Sequence, residues 1–264
     1  MSAARSLHRL PGTGVIAAIF FAFLYAPIAV LVALSFNVNR TASIWTGFTT
    51  DWYDEAFNDQ AIQGALRNSL IVASTATVGA TLLGLLAALG TQQSFRGRNL
   101  LLGLIGGPLL VPEIASGISL LLFFDSLGIK LSIATVTISH IVFCLPFAYF
   151  PIRAHLAGLD PRLKEAAADL YADEWRTFRH VTLPLLWPGI LAGGLLAFIT
   201  SIDDFVTTFF VAGAGDSTLP TFIFSLIRAG VSPKINAIST VVLLVSILFV
   251  SVSLLIGRRR LANA

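Results

Sequence analysis

The chain has 264 residues, 56% of them hydrophobic and only 12% charged, with a net charge of +3 and a mean hydropathy of +0.84. Soluble domains carry about 25% charged residues, so this composition excludes an ordinary water-soluble fold and points to one polytopic membrane domain. A single cysteine, Cys144 in an apolar run, excludes a disulfide framework and a cysteine metal cluster; the basic residues flank apolar runs and form no nucleic-acid patch.

Arg5 and Arg9 precede an apolar run from about Gly14 to Phe36. It is too long for a signal-peptide core and no small-residue cleavage site follows, so a retained first helix is expected. Asn37 to Gly64 is a polar loop, aromatic and acidic, with Asp51, Asp54, Glu55 and Asp59. The second span, about Ala65 to Gln93, is rich in Ser, Thr, Ala and Gly, which let helices pack closely in lipid. The third runs from about Leu100 to Phe124, where Pro108 and Pro112 should bend it and free carbonyls around Glu113. The fourth covers about Leu131 to Tyr149, with Pro146 and Pro151 expected to kink and end it. The fifth covers about Leu185 to Phe210 and the sixth about Ile235 to Gly257.

Six spans put both termini on one side. That side collects twelve Lys and Arg residues, among them Arg96, Arg98, Arg153, Arg176 and Arg258–Arg260, and the other side five. The richer side is cytoplasmic by the positive-inside rule, so both termini are expected in the cytoplasm.

The longest charged interruption is Glu165 to Ile190. Asp160 and Pro161 suit an N-cap and a first helical position. Ala166, Ala167, Leu170, Trp175 and Phe178 recur at helical spacing, and a sharp stop is expected at Leu183-Pro184. Periodicity alone allows a helix lying in the headgroups or one touching a partner outside the membrane. There is no P-loop, no G-x-S-x-G and no H-E-x-x-H, and the four histidines are scattered. Neither nucleotide hydrolysis, a cofactor nor a metal is expected of this chain.

Asp203 and Asp204 stand inside the fifth span beside Thr200, Ser201, Thr207 and Thr208. A charge in the bilayer interior costs roughly 2.5–3.5 kcal/mol even on the gentler scales, so it faces a cavity or a partner. Adjacent helical residues point about 100° apart, so one of the two, not both, is expected on a translocation path. The competing role is to tie the fifth span to another segment, and Glu113 carries the same two readings. His140 is expected to be a hydrogen-bonded packing residue, and Cys144 buried filler. The polar stretches 51–59 and 213–220 are candidate contacts for a binding protein, for a partner permease or for solvent.

Glu165-Ala166-Ala167, three residues, Tyr171, nine residues, then Val181-Thr182-Leu183-Pro184 resembles the EAA loop of binding-protein-dependent ABC importer permeases. In that family the pattern reads E-A-A, three residues, Gly, nine residues, Ile, any residue, Leu-Pro. Here Tyr171 replaces the glycine, so either the turn stays right-handed or the helix runs on longer and straighter. The resemblance implies an all-α membrane protein with the type I ABC importer permease fold, six transmembrane helices and a coupling loop at about residues 153–184 of one 1–264 domain. It implies two ATPase subunits, a second homologous permease subunit and a substrate-binding protein as partners, in a bacterial plasma membrane. In this reading Glu165, Ala166, Ala167, Tyr171, Leu183 and Pro184 couple to the ATPase.

Further segments narrow the match. Trp45-Thr46-Gly47-Phe48-Thr49, Ser139 to Phe147, Ser201-Ile202-Asp203-Asp204 and Val231 to Ala237 are similar to the second subunit of the spermidine/putrescine permease subfamily. That likeness implies polyamine uptake; Asp203 or Asp204, with Glu113, are the carboxylates that would suit such a polycation on the substrate path, with Phe205, Phe209 and Phe210 available for cation–π contact. Another small cationic or amino compound is the alternative substrate. A stand-alone cation-coupled carrier is the alternative machine, although it gives the EAA-like loop no role.

Overall fold

The computed structural model describes residues 13–40, 44–230 and 232–262, the side chains of 248–262 excepted. Arg5, Arg9, Val231 and the side chains of Arg258, Arg259 and Arg260 lie outside the described residues. The helices are α1 (Thr13–Leu34), α2 (Asp51–Phe57), α3 (Gln60–Gly90), α4 (Arg98–Gly106), α5 (Glu113–Ser126), α6 (Ile133–Ala157), α7 (Arg162–Asp169), α8 (Glu174–Thr177), α9 (Leu183–Asp203), α10 (Val206–Val211), α11 (Leu219–Ala229) and α12 (Pro233–Ala262). Among the described residues there is no strand, only an isolated bridge between Asn37 and Phe48.

Six apolar segments fall where six spans are expected. Four are single runs long enough to cross a bilayer: α1, α3, α6 and the continuous helical stretch Glu174–Asp203. The sixth is α12, 30 residues long.

The third and fifth differ from the expected single helices. The third breaks after a 3-10 turn at Gly107–Leu109, and α5 leaves at 108° to what precedes it. Pro108 and Pro112 remove two backbone N–H donors within five residues, in a stretch from Gly106 to Pro112 with no buried residue to brace it, and the helical ladder breaks there. The fifth ends at Asp203; Asp204 is extended (φ −65°, ψ 124°) and the chain restarts as α10. The fourth shows the opposite correction, because α6 continues through both Pro146 and Pro151 to Ala157.

The fold divides into two compact units, residues 1–62 with 223–264, and residues 63–222. In the first, α2 and α1 each pack on α12. The described side chains of α1 are none of them buried, as suits a helix apolar all round. The polar loop after α1 is tightly built. The fully buried Asn37 donates to the Ile44 carbonyl at 2.7 Å and accepts from the Thr46 N–H at 3.1 Å. Trp52 Nε1 donates to the Asn37 carbonyl, and Phe36 stacks between Phe48 and Tyr53.

In the second unit, small residues let three helices meet. Ala73, Ala76, Ala80 and Ala88 on α3 are fully buried, with Gly84 on the same face. A Cβ on Gly84 would stand 3.1 Å from the Tyr149 backbone nitrogen, and one on Gly193 only 2.6 Å from the Ala148 carbonyl oxygen. Around these contacts Ala88, Tyr149, Ile152, Leu186 and Ile190 form one core cluster. Lipid tails are as apolar as these side chains, so close van der Waals packing, not escape from water, holds α3, α6 and α9 together.

Candidate functional site

The charged stretch after α6 is not one helix. It folds as α7, a tight turn, α8 and a π-helical turn at Phe178–Thr182 that runs straight into α9. The expected stop at Leu183-Pro184 is absent. Asp160 accepts the Arg162 N–H at 2.9 Å, and the helix begins one residue later than the Asp-Pro signal suggests.

Tyr171 settles the turn. It is the one non-glycine residue with a positive φ (60°) among the described residues. The Ala172 N–H donates to the Ala167 carbonyl at 3.0 Å and the Tyr171 N–H to the Ala168 carbonyl at 2.9 Å. These two bonds are the Schellman pattern of a helix C-terminus, normally closed by glycine. The longer, straighter helix expected from Tyr171 is thereby corrected: the left-handed turn survives the substitution, because two capped carbonyls offset a cost of about 1–2 kcal/mol. Asp173 then caps α8 through the Arg176 N–H at 2.7 Å.

What this loop presents is largely uncovered. Glu165 and Ala166 are exposed, Ala167 is buried, and Leu170 and Tyr171 are 82% and 94% exposed. A cleft of about 460 Å³ lies among Leu163, Ala167, Leu170, Tyr171, Arg176 and His180. Lys164 Nζ donates to Gln92 Oε1 at 3.3 Å, one exposed contact between α7 and the turn after α3. In that turn Thr91 meets the Tyr149 hydroxyl at 2.9 Å and its carbonyl accepts from Arg98 Nε.

The two aspartates of the fifth segment part company at the break. Asp204 is buried and accepts from the Thr208 N–H at 2.9 Å, the Thr208 hydroxyl at 3.2 Å and the Thr207 N–H at 3.4 Å. Its carboxylate also lies 3.2 Å from His140 Nε2, whose ring bridges Thr208 Oγ1 (2.9 Å) and Ser201 Oγ (2.7 Å). Asp203 is exposed, and its side chain makes no hydrogen bond or ion pair among the described residues. Glu113, the first residue of α5, is likewise exposed.

Two partnerships escaped the sequence reading. His140 and Asp204 are 64 positions apart and each is a polar residue stranded in an apolar run, which is the one signal that could have paired them. Lys234 joins Glu55 at 3.1 Å and Asp59 at 2.7 Å in the first unit, so part of the acidic stretch 51–59 is neutralised within the chain. The stretch 213–220 is also held internally. Asp216 accepts the Ile133 N–H, Asn68 donates to the Ser217 carbonyl, and Ser69 accepts the Leu219 N–H. Among the described residues no three His, Cys, Asp or Glu side chains gather as a metal site would require.

The family model described as "Binding-protein-dependent transport system inner membrane component" matches residues 80–261. The spermidine/putrescine transport system permease protein PotC of Escherichia coli (strain K12) is 40% identical over 253 residues, 96% of each chain. The putrescine transport system permease protein PotI of the same strain is 39% identical, covering 89% of this chain and 86% of that one. A chain of the crystallised bacterial alginate ABC transporter, in complex with an alginate pentasaccharide-bound periplasmic protein, superposes with a TM-score of 0.67 at 18% identity. It covers 89% of this chain and 90% of its own, and at that identity it shows the type I fold alone. The chain is a multi-pass transport permease and belongs to the binding-protein-dependent transport system inner membrane component family.

Proposed function

We propose that this chain forms half of the translocation path of an ATP-driven importer for polyamines of the spermidine/putrescine class. The observation that carries the reading is identity along nearly the whole chain, 40% over 96% of its length, to a permease named for those substrates. The energy comes from ATPase subunits on other chains, received by the α7–α8 loop through Glu165, Ala166 and the exposed Leu170 and Tyr171. A second homologous permease completes the path, and a substrate-binding protein delivers from the far side. The loop and both termini face the cytoplasm, in line with the twelve-to-five split of Lys and Arg.

Within the path, Asp203 and Glu113 are the carboxylates that meet substrate. Both are exposed, whereas Asp204 is consumed by His140, Thr207 and Thr208. A polyamine is a flexible polycation, and a carboxylate with Phe205 and Phe209 nearby in sequence suits it through charge and cation–π contact.

The test is uptake of labelled spermidine and putrescine by the reconstituted complex of this chain with its permease, ATPase and binding protein. Glu165→Ala should abolish both uptake and retention of the ATPase subunit while membrane insertion stays intact. Normal coupling in that variant overturns the assignment. Uptake of another amino compound in preference to both polyamines overturns the substrate class alone.

A further inference from the structure

The π-helical turn at Phe178–Thr182 separates two regions of opposite character. From Thr182 onward, Leu186, Gly189, Ile190, Gly193, Ala197 and Ser201 are buried in turn, so α9 presents one continuous packed face. That face is clamped on α6: a Cβ on Gly189 would lie 2.6 Å from the His155 Cβ, and one on Gly193 would lie as close to the Ala148 carbonyl. His155 Nε2 also lies 3.1 Å from the Leu185 carbonyl oxygen. Upstream, from Leu170 to Val181, no residue is buried. The passage from free lever to clamped helix takes place within five residues.

Those residues carry the one described departure from i→i+4 bonding in the 30-residue run from Glu174 to Asp203. The Leu183 N–H donates to the Phe178 carbonyl, five residues back. Pro184 supplies a cause. Inside a regular α-helix its ring would press on the carbonyl four residues earlier, His180, and the wider turn relieves that contact. The His180 imidazole Nδ1 stands 3.1 Å from the Arg176 carbonyl, a side-chain partner for a carbonyl whose backbone donor changes as the ladder shifts.

We infer that this π-turn is the joint at which displacement of the α7–α8 loop is passed to α9. A widened turn can exchange i→i+4 for i→i+5 partners and tilt without leaving the backbone unbonded, which a helix entering a membrane requires. The inference rests on the coupling role proposed above for that loop, and adds where the movement is absorbed.

The test uses the full complex in nanodiscs. Hydrogen exchange is followed with and without a non-hydrolysable ATP analogue. Amides of 178–183 should change protection by about tenfold on nucleotide binding, while those of Ile190–Ala197 stay within about twofold. A change spread evenly through Ile190–Ala197 overturns the joint.

A single deletion gives the second arm. Removing the exposed Arg179 closes the π-turn into an ordinary α-turn, because a π-bulge is one residue more than the helix needs; Arg179→Ala keeps the count. The deletion should retain the ATPase subunit yet lose uptake by more than about tenfold, with Arg179→Ala within about twofold of wild type. Uptake by the deletion within twofold of wild type, or loss of the ATPase subunit from it, overturns the joint. Glu165→Ala in the same preparation isolates the underlying reading, since ATPase retention there overturns the coupling role itself.

Discussion

Lys234, second residue of α12, reaches back 175 positions to place its ammonium 2.7 Å from Asp59, with Glu55 at 3.1 Å. The hydrogen bond from Lys234 holds the Asp59 carboxyl below its ordinary value of 3.8, assisted by the Ala61 and Ile62 N–H groups and opposed by burial. A lowered carboxylate pKa stabilises the fold above the unfolded-state value and loses that contribution as pH falls through the folded value. Thermal melts of wild type and Lys234→Met should therefore differ by a constant amount from about pH 5 to about pH 8, and converge only in strong acid. Both groups are partly exposed, so the difference should stay under about 1 kcal/mol.

Asp203 and Asp204 should separate in mutagenesis. Asp204→Ala strands His140 and the Thr207 and Thr208 amides in a buried site, and a buried donor left unsatisfied costs about 1–3 kcal/mol. It should lower the melting temperature and the yield of folded protein. Asp203→Asn leaves the fold unchanged and reduces polyamine uptake. Fluorescence-detected size exclusion paired with uptake reads both.

Tyr171→Gly should keep the α7 cap, since the side chain is almost wholly exposed within this chain and its φ already suits glycine. Relief of the left-handed cost, about 1–2 kcal/mol, is partly cancelled by the greater backbone freedom of glycine. Tyr171→Val should do the reverse and weaken the turn. Protection of the Ala172 amide, bonded to the Ala167 carbonyl, reports the order Gly, Tyr, Val.

Gly193→Ala should destabilise by about 1–3 kcal/mol, because its methyl would meet the Ala148 carbonyl at 2.6 Å and neither helix can give way. Gly103→Ala, with nothing within 4 Å, should be neutral or stabilising by about 0.5–1 kcal/mol. Melting temperatures of the two variants in one detergent compare them directly.

The spans were legible because apolar runs of bilayer length, bounded by arginines, have few alternatives. Close packing of α3 is legible from its small residues, although its pairing with α6 is not. Less visible was anything decided by a partner distant in sequence. Asp204 looked like an interior charge until His140 and the α10 amides gave it a capping role, and that role is what ends α9. The effect of proline depends on context for a related reason. Pro146 and Pro151 sit in a helix braced along α9, and the helix survives them. Pro108 and Pro112 sit close together in a stretch with few buried residues, and the helix does not. Tyr171 could not be judged from its side chain at all, since the bonds that hold its turn belong to the backbone on either side.

The corner between α4 and α5 sets a limit on its surroundings. Pro108 and Pro112 bring no N–H, so the carbonyls of Leu104 and Pro108 lose their helical donors, and hydrocarbon offers no replacement. Each such orphan costs several kcal/mol in lipid. At bilayer depth, such a corner is stable only against water or another polypeptide. Glu113 is the first residue past that corner, so a charge there meets the same requirement as the freed carbonyls.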